Sequence, residues 1–190
     1  PYTLADGVEE LRFFAVRPAH GIGNTLANLI ETTSANDTLD GGAGADTLSG
    51  TSGNDVYHVD DALDQIVEAD DTAGGDDLVV SAVDWTLADG LERLELVGAA
   101  LVGVGNAAGN TIVGNALSNR LEGAEGNDAL IGGEGTDTLV GGSGDDGYYA
   151  DEDDVYTEIA GPDGGSDTVY SALGFFGLPA HIEHLILLNA

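Results

Sequence analysis

The chain has 190 residues, of which 35 are Asp or Glu and only 4 are Lys or Arg, so its formal net charge at pH 7 is −31. This charge excludes a nucleic-acid-binding surface, because no basic patch is available to meet phosphates. The absence of Cys excludes disulfides and zinc–thiolate sites, and no signal peptide or apolar membrane span is visible.

The first clear pattern runs from residue 23 to residue 58, where the chain repeats every nine residues as an approximate Gly-Gly-x-Gly-x-Asp-x-apolar-x. A catalytic loop occurs once, whereas a repeat of fixed short period is typical of a solenoid. The eighth place of each nonapeptide predicts the core, and Thr, Ala and Val beside it favour a short strand. These core positions are Ile30, Leu39, Leu48 and Tyr57.

The glycine places and the Asp place have different physical reasons. Gly at the first, second and fourth places permits positive φ and leaves backbone carbonyls unobstructed in a tight turn. The Asp at the sixth place adds a carboxylate, and ligands that are all oxygen on flexible turns favour Ca²⁺. The candidate ligand residues in this array are Asp37, Gly41, Gly42, Gly44, Asp46, Gly53 and Asp55.

Between the two arrays the sequence keeps strand character but loses the glycine turns, and it offers no convincing amphipathic helix. The predicted strands are residues 56–59, 65–68, 77–80, 85–87 and 94–97.

The second array runs from residue 105 to residue 149 as five consecutive nonapeptides, with Ile112, Leu121, Leu130, Leu139 and Tyr148 at the eighth place. Its candidate ligand residues are Asn119, Gly123, Gly126, Asp128, Gly132, Gly133, Gly135, Asp137, Gly141, Gly142, Gly144 and Asp146. Asn replaces the sixth-place Asp at Asn28, Asn110 and Asn119, while Thr32, Thr33, Asn106, Asn115 and Ala124 replace turn glycines. Two interpretations of the Asn turns stay open: weak calcium sites, or metal-free turns whose Asn side chains bond the backbone.

A longer period lies over the nonapeptides, since Tyr2-Thr3-Leu4-Ala5-Asp6-Gly7 returns as Trp85-Thr86-Leu87-Ala88-Asp89-Gly90. The segment directly after this hexapeptide returns again, loosely, near His181. We therefore predict one continuous solenoid with a first unit at about 2–84, a second at about 85–174 and the start of a third at 175–190. The second unit has gained one nonapeptide, as solenoids do when they grow by one structural repeat.

The most faithful copies of the repeat, at residues 41–49, 132–140 and 141–149, resemble the repeats-in-toxin (RTX) family of calcium-binding parallel β-rolls. The resemblance implies an all-β, right-handed parallel solenoid in which two nonapeptides form one coil and several Ca²⁺ ions lie between stacked turns. Carried onto this chain, the stacked pairs are Asp37 with Asp55, Asp128 with Asp146, and Asn119 with Asp137.

The same resemblance makes Glu68, Asp77, Glu158 and Asp167, which flank the ends of the arrays, candidate additional ligands. Solvated acidic loops are the alternative interpretation of these four residues. Glu68 and Asp77 in the first unit correspond to Glu158 and Asp167 in the second unit. In each unit the Glu lies before a connecting segment and the Asp lies after it.

The expected function is a calcium-binding segment of a secreted or surface-attached bacterial structural protein that folds on binding calcium outside the cell. The strong acidic excess predicts that the calcium-free chain is largely disordered. The alternative is the C-terminal calcium-folding carrier of an RTX hydrolase or toxin with its catalytic domain elsewhere. We expect no enzyme activity here, because no nucleophile and base share a register. A binding face for glycan or ice would need regular Thr or aromatic ladders, of which only Thr38, Thr47, Thr111 and Thr138 give a hint.

No capping segment is apparent at either end of the pattern, and solenoids normally carry one to cover the exposed strand edges. The sequence therefore predicts either a longer covalent array or separate chains that stack head to tail into a filament.

Overall fold

The structure, a computed structural model, describes residues 1–14, 17–68, 75–149, 153–158, 164–171, 178 and 180–188. All regular structure in these ranges is β, and no helix in them could cross a membrane. The strands are β1 (Tyr2–Thr3), β2 (Glu10–Arg12), β3 (His20–Ile22), β4 (Leu29–Glu31), β5 (Thr38–Asp40), β6 (Thr47–Thr51), β7 (Val56–Val59), β8 (Gln65–Glu68), β9 (Leu78–Ser81), β10 (Trp85–Thr86), β11 (Arg93–Leu96), β12 (Val102–Val104), β13 (Thr111–Val113), β14 (Arg120–Glu125), β15 (Ala129–Ile131), β16 (Thr138–Ser143), β17 (Gly147–Tyr149), β18 (Val155–Thr157), β19 (Thr168–Ser171) and β20 (His184–Leu187).

The strands form a parallel β-solenoid, which confirms the predicted fold class. One face is an 11-stranded sheet in the order β1-β3-β5-β7-β9-β11-β13-β15-β17-β19-β20. The other face consists of a 4-stranded sheet, β2-β4-β6-β8, and a 5-stranded sheet, β10-β12-β14-β16-β18. Within the arrays a strand pairs with the strand 18 residues later, as Thr38 does with Val56, so two nonapeptides form one coil.

The core lies between the two faces and is built from the eighth-place residues, as the sequence predicts. Strands of the arrays such as β5 and β15 place one buried side chain between two partly exposed ones, because successive residues of a strand point to opposite sides. The eighth-place side chains are fully buried in one continuous cluster: Ile30, Leu39, Leu48, Tyr57, Ile112, Leu121, Leu130, Leu139 and Tyr148.

The second face is interrupted between β8 and β10, which lie in different sheets. The predicted unit boundary after residue 84 falls beside this interruption. The repeated hexapeptide also changes face there, since Tyr2 and Thr3 lie in the 11-stranded sheet but Trp85 and Thr86 lie in the 5-stranded sheet. The reason is that the described residues of unit one contain nine strands, an odd number, and the strands from β1 to β10 alternate between the two faces. The division into units stays a proposal.

Most predicted strands between the arrays are present with small shifts at their ends, such as Leu78–Ser81 in place of 77–80. Glu158 comes directly after β18 and lies outside a strand. Part of the predicted third unit, namely residues 175–177, 179 and 189–190, lies outside the described residues.

Packing of the eighth place gives the first prediction. Leu121→Ala should lower the free energy of unfolding in saturating calcium by about 2–5 kcal/mol, because it leaves a cavity in a fully buried position. Leu117→Ala, in the turn just before and 43% exposed, is the matched control and should change it by less than about 0.5 kcal/mol. Urea unfolding followed by circular dichroism measures both, and equal effects would contradict the assigned core.

Candidate metal sites in the stacked turns

The residue just before each strand forms a column along each edge of the solenoid. We call the turns that lead into the 11-stranded sheet edge one, and the turns that lead into the other two sheets edge two. Asp37, Asp55, Asp77, Asp128, Asp146 and Asp167 lie on edge one, while Asp46 and Asp137 lie on edge two. All eight of these Asp side chains are buried.

One oxygen of each stacked carboxylate is held by the backbone of the preceding coil. The backbone N–H of Asp37 donates to Oδ1 of Asp55 at 2.7 Å, and that of Asp128 donates to Oδ1 of Asp146 at 2.8 Å. The N–H of Asn119 donates to Oδ1 of Asp137 in the same way at 2.8 Å. The three pairs named from the sequence therefore lie one coil apart and in direct contact.

The other carboxylate oxygen is buried without a hydrogen-bond partner in five of these residues. The five atoms are the Oδ2 atoms of Asp46, Asp55, Asp77, Asp128 and Asp146. A buried charged oxygen without a partner is costly, and protonation or a bound cation would offset that cost. Carboxylates beside backbone carbonyls form an all-oxygen donor set, so the residues present fit a hard cation such as Ca²⁺.

The first-place glycines allow these oxygens to approach the backbone. A Cβ on Gly41, Gly123, Gly132 or Gly141 would collide with the carboxylate of its own turn, which belongs to Asp46, Asp128, Asp137 or Asp146 respectively. At Gly123 the same Cβ would also lie 2.6 Å from the carbonyl oxygen of Gly141, one coil away. Carboxylate and neighbouring carbonyl therefore converge where the repeat requires Gly.

The second-place and fourth-place glycines serve backbone conformation instead. Positive φ is found at Gly42, Gly44, Gly53, Gly126, Gly133, Gly135, Gly142 and Gly144. Two substituted second places keep this conformation without Gly, Thr51 at 73° and Ala124 at 84°. L-residues adopt such angles at a cost, so the coil imposes the turn there.

The Asn turns are satisfied without a metal, which favours the second of the two interpretations left open by the sequence. Oδ1 of Asn110 accepts the N–H of Asn106 at 2.7 Å, and its Nδ2 donates to the carbonyl of Leu91 at 3.1 Å. Asn119 bonds Asn115 and Ala100 in the same way, and Asn28 bonds Asn24 and Val8. The sequence signal is that Asn holds the second and sixth places together in all three turns.

Burial raises the pKa of the turn carboxyl groups well above their ordinary value of 3.8. The pKa of Asp46, Asp55 and Asp128 rises to about 6, chiefly through desolvation, with hydrogen bonds from the stacked backbone N–H acting in the opposite sense. The pKa of Asp77 and Asp146 rises to about 7 for the same reason, with neighbouring carboxylates adding to the rise. Between about pH 4 and pH 6 these groups in the metal-free fold therefore hold protons that they would lose in an unfolded chain.

The four flanking acidic residues meet the last turn of each array. Carboxylate oxygens of Asp146, Glu158 and Asp167 all lie within 4.8 Å of one another, and the Tyr148 hydroxyl donates to Glu158. In the first unit the Tyr57 hydroxyl donates to Glu68, and the charge of Glu68 helps to raise the pKa of both Asp55 and Asp77. The alternative interpretation of these residues as solvated acidic loops is wrong for Asp77 and Asp167, because these two residues are only 0% and 1% exposed.

The structure adds four acidic residues that the sequence interpretation missed. On edge two, Oδ1 of Asp64 and of Asp154 accept the N–H groups of Asp46 and Asp137 at 2.9 and 2.8 Å. On edge one, Glu92 and Glu183 accept the N–H groups of Asp77 and Asp167 at 2.9 and 3.0 Å. Asp64 could have been found, because it lies 18 residues after Asp46 and is followed by Gln-Ile-Val. Glu92 and Glu183 carry no signal in a pattern written for Asp.

A parallel solenoid with columns of buried turn carboxylates is the architecture of a metal-binding repeat protein. The family model described as RTX calcium-binding nonapeptide repeat (4 copies) matches residues 22–57, 104–139 and 113–148. The chain therefore contains RTX calcium-binding nonapeptide repeats, which confirms the resemblance, and its β-roll is a structural calcium-binding architecture. No curated protein matches the chain.

The contrast between Asp and Asn turns gives the second prediction. Asp128→Asn should lower the number of calcium ions bound at saturation by about one, because it removes the charge of a buried, partnerless oxygen. Asn110→Ala, one coil earlier on edge one, should lower stability but leave the ion count unchanged. The reason is that the oxygen and the nitrogen of the Asn110 side chain already form hydrogen bonds with the backbone. Isothermal titration calorimetry measures the count, and an equal loss in both variants would show that the Asn turn also binds metal.

The raised pKa values give the third prediction. A carboxyl group whose folded pKa is raised stabilises the fold below its unfolded pKa near 4, and this contribution is lost as pH rises through its folded pKa of about 6 to 7. Metal-free protein should therefore gain β-structure by circular dichroism as pH falls from about 8 to about 5. Because calcium must displace the same protons, its apparent affinity should rise over that range as pH increases. Metal-free protein that is less ordered at pH 5 than at pH 8 would contradict this assignment.

Proposed function

We propose that the chain is a calcium-folded structural module of a secreted or surface-attached bacterial protein. The observation that carries this proposal is the column of buried Oδ2 atoms that accept no hydrogen bond, at Asp46, Asp55, Asp77, Asp128 and Asp146. The matched RTX repeats supply the identity of the ion. Secretion is proposed because repeats of this family are typical of secreted bacterial proteins.

In the proposed sites the cation lies between turns that stack one coil apart. The clearest donor set joins the Asp128 carboxylate with the Gly141 carbonyl, which meet over Gly123. The remaining proposed ligands come from the turns at residues 32–37, 41–46, 50–55, 132–137 and 141–146. The Asn119 side chain is left out of this set, because its amide bonds the backbone of its own turn and of the preceding coil.

Charge explains why binding and folding should be one process. The net charge of −31 opposes a compact state, and folding buries part of this charge in columns where carboxylates approach one another. Calcium removes that repulsion only in the folded state, since the ligands of one ion come from different coils. The binding free energy therefore becomes folding free energy.

The expected affinity fits a protein that folds after it leaves the cell. Extracellular calcium modules bind with dissociation constants of about 10⁻⁴ to 10⁻³ M, well above the free calcium of a cytoplasm. Such a chain would stay unfolded inside the cell and fold at the surface. Head-to-tail association of separate chains stays a prediction, to be tested by light scattering at increasing protein concentration.

Calcium dependence of the fold is the fourth prediction. Far-ultraviolet circular dichroism at neutral pH should show a disordered chain with chelator and β-structure in about 1–10 mM calcium. Magnesium at the same concentration is the control and should be much less effective, because it demands a tighter octahedral site and keeps its water. A β-spectrum that is unchanged by the chelator would remove the basis of the proposed function.

A further inference from the structure

The second face of the solenoid is broken where the first face is continuous. On the first face, β7 pairs with β9 and β9 pairs with β11. On the second face, β8 is the last strand of the 4-stranded sheet and β10 is the first strand of the 5-stranded sheet. Among the described residues, β8 pairs only with β6, and β10 pairs only with β12. One edge of each sheet therefore has no neighbouring strand within this part of the chain.

A cleft of about 490 Å³ lies at this break, and we call it the edge cleft. Strand β8 contributes Gln65, Ile66 and Val67 to its lining, and strand β10 contributes Trp85 and Thr86. The two sheet edges are therefore walls of one cleft. Its volume falls in the range of about 300–1,000 Å³ that ligand clefts occupy.

Both walls present backbone hydrogen-bonding groups to the edge cleft. Residues of a parallel strand bond alternately to the strands on their two sides. The N–H of Gln65 donates towards β6, so the next residue, Ile66, presents its N–H and carbonyl to the cleft. On the other wall the N–H of Leu87 donates towards β12, so Thr86 presents its backbone groups to the cleft. Sheet edges of this kind bind an added strand through main-chain hydrogen bonds.

The side chains of the edge cleft define which residues an added strand needs. Ile66 and Trp85 pack against the hydrophobic core and form an apolar floor. Val67 points outward and is 50% exposed. A strand turns successive side chains to opposite sides, so an added strand would place every second residue on this floor and the others towards solvent. The floor favours apolar residues at every second position.

The charge of the edge cleft defines the residues between them. The carboxylates of Asp64 and Asp84 belong to its lining, and the described lining residues include no cationic side chain. The chain as a whole carries a net charge of −31 and only 4 Lys or Arg residues. A second copy of the chain would therefore be repelled, whereas a cationic segment is electrostatically complementary.

We propose that the edge cleft is a docking site for an extended cationic segment of another protein. The segment adds as a strand at the break between β8 and β10, with apolar residues on the floor and basic residues outward. This inference goes beyond the proposed function, because it gives the module a protein-binding surface on its second face, away from the turn carboxylates.

The intrinsic fluorescence of Trp85 tests the proposal, because Trp85 is the only Trp in the chain and lines the cleft. The full chain in saturating calcium and about 0.15 M salt is titrated with a synthetic octapeptide of alternating Val and Lys. We expect a saturable change in Trp85 emission. An octapeptide of alternating Val and Glu should give none, because its charge is repelled. No response to the Val-Lys octapeptide would overturn the proposal.

A third octapeptide separates strand addition from attraction of any cation to an acidic chain. It keeps the four Lys residues but has Pro in place of two Val residues, which removes two backbone N–H donors without changing the charge. This octapeptide should bind much more weakly. Equal affinity for the Pro-containing and the Val-Lys octapeptides would overturn strand addition.

A pair of matched variants tests the location. Ala88→Phe places a bulky side chain at an exposed residue that lines the edge cleft, and it should weaken Val-Lys octapeptide binding by about tenfold through steric exclusion. Ala5→Phe is the control, because Ala5 holds the same place in the repeated hexapeptide and is also exposed. The carbonyls of both residues also accept an Asn side chain, from Asn24 and Asn106 respectively. Both variants should keep the β-spectrum in calcium, and equal octapeptide affinity in the two would overturn the assigned cleft.

Discussion

The structure depends on what each of the two carboxylate oxygens of the Asp before a strand is bonded to. In the Asp turns one oxygen accepts a backbone N–H from the coil before, which fixes the stacking register, and the other is buried. The first oxygen makes each coil a template for the next, while the second makes a stack of such coils costly in water without protons or cations. The same Asp side chain therefore specifies how the coils stack and makes the stability of the solenoid depend on bound protons or cations. Apolar burial at the eighth place supplies the rest of the free energy, but it cannot remove this charge from the turns.

Two kinds of turn share the solenoid, and their order along the chain is informative. Each array opens with an Asn turn, at Asn28 and at Asn110, whose side chain bonds its own turn and the segment before it. Each array ends on a carboxylate cluster that contacts the segment after it, at Asp55 and at Asp146. Metal-free hydrogen bonds thus join an array to the segment on its N-terminal side, and carboxylates join it to the segment on its C-terminal side. This polarity explains why the Asn departures are concentrated at the start of an array.

The sequence predicts most of the fold because the nonapeptide register carries both core and turn. Leu39 and Leu130 could be assigned to the core, and Asp37 to a stack with Asp55, from spacing alone. Other features could not be predicted because the register stops outside the arrays, where coil length varies. Val56 pairs with Leu78 and Arg93 with Leu78, which are separations of 22 and 15 residues, so Glu92 joins the column without any periodic signal. The change of face by the repeated hexapeptide depends on the odd number of strands in the described residues of the first unit, and the spacing of the two copies does not show that number.

Our proposal is that the Asp turns hold calcium and the Asn turns do not. It is tested most directly by a crystal structure of the chain grown in calcium, with ions located by anomalous scattering. We expect anomalous peaks beside the Oδ2 atoms of Asp46, Asp55, Asp128 and Asp146, and none within coordination distance of Asn28, Asn110 or Asn119. Peaks at the Asn turns, or a folded solenoid with no peak at any of the Asp turns, would contradict it.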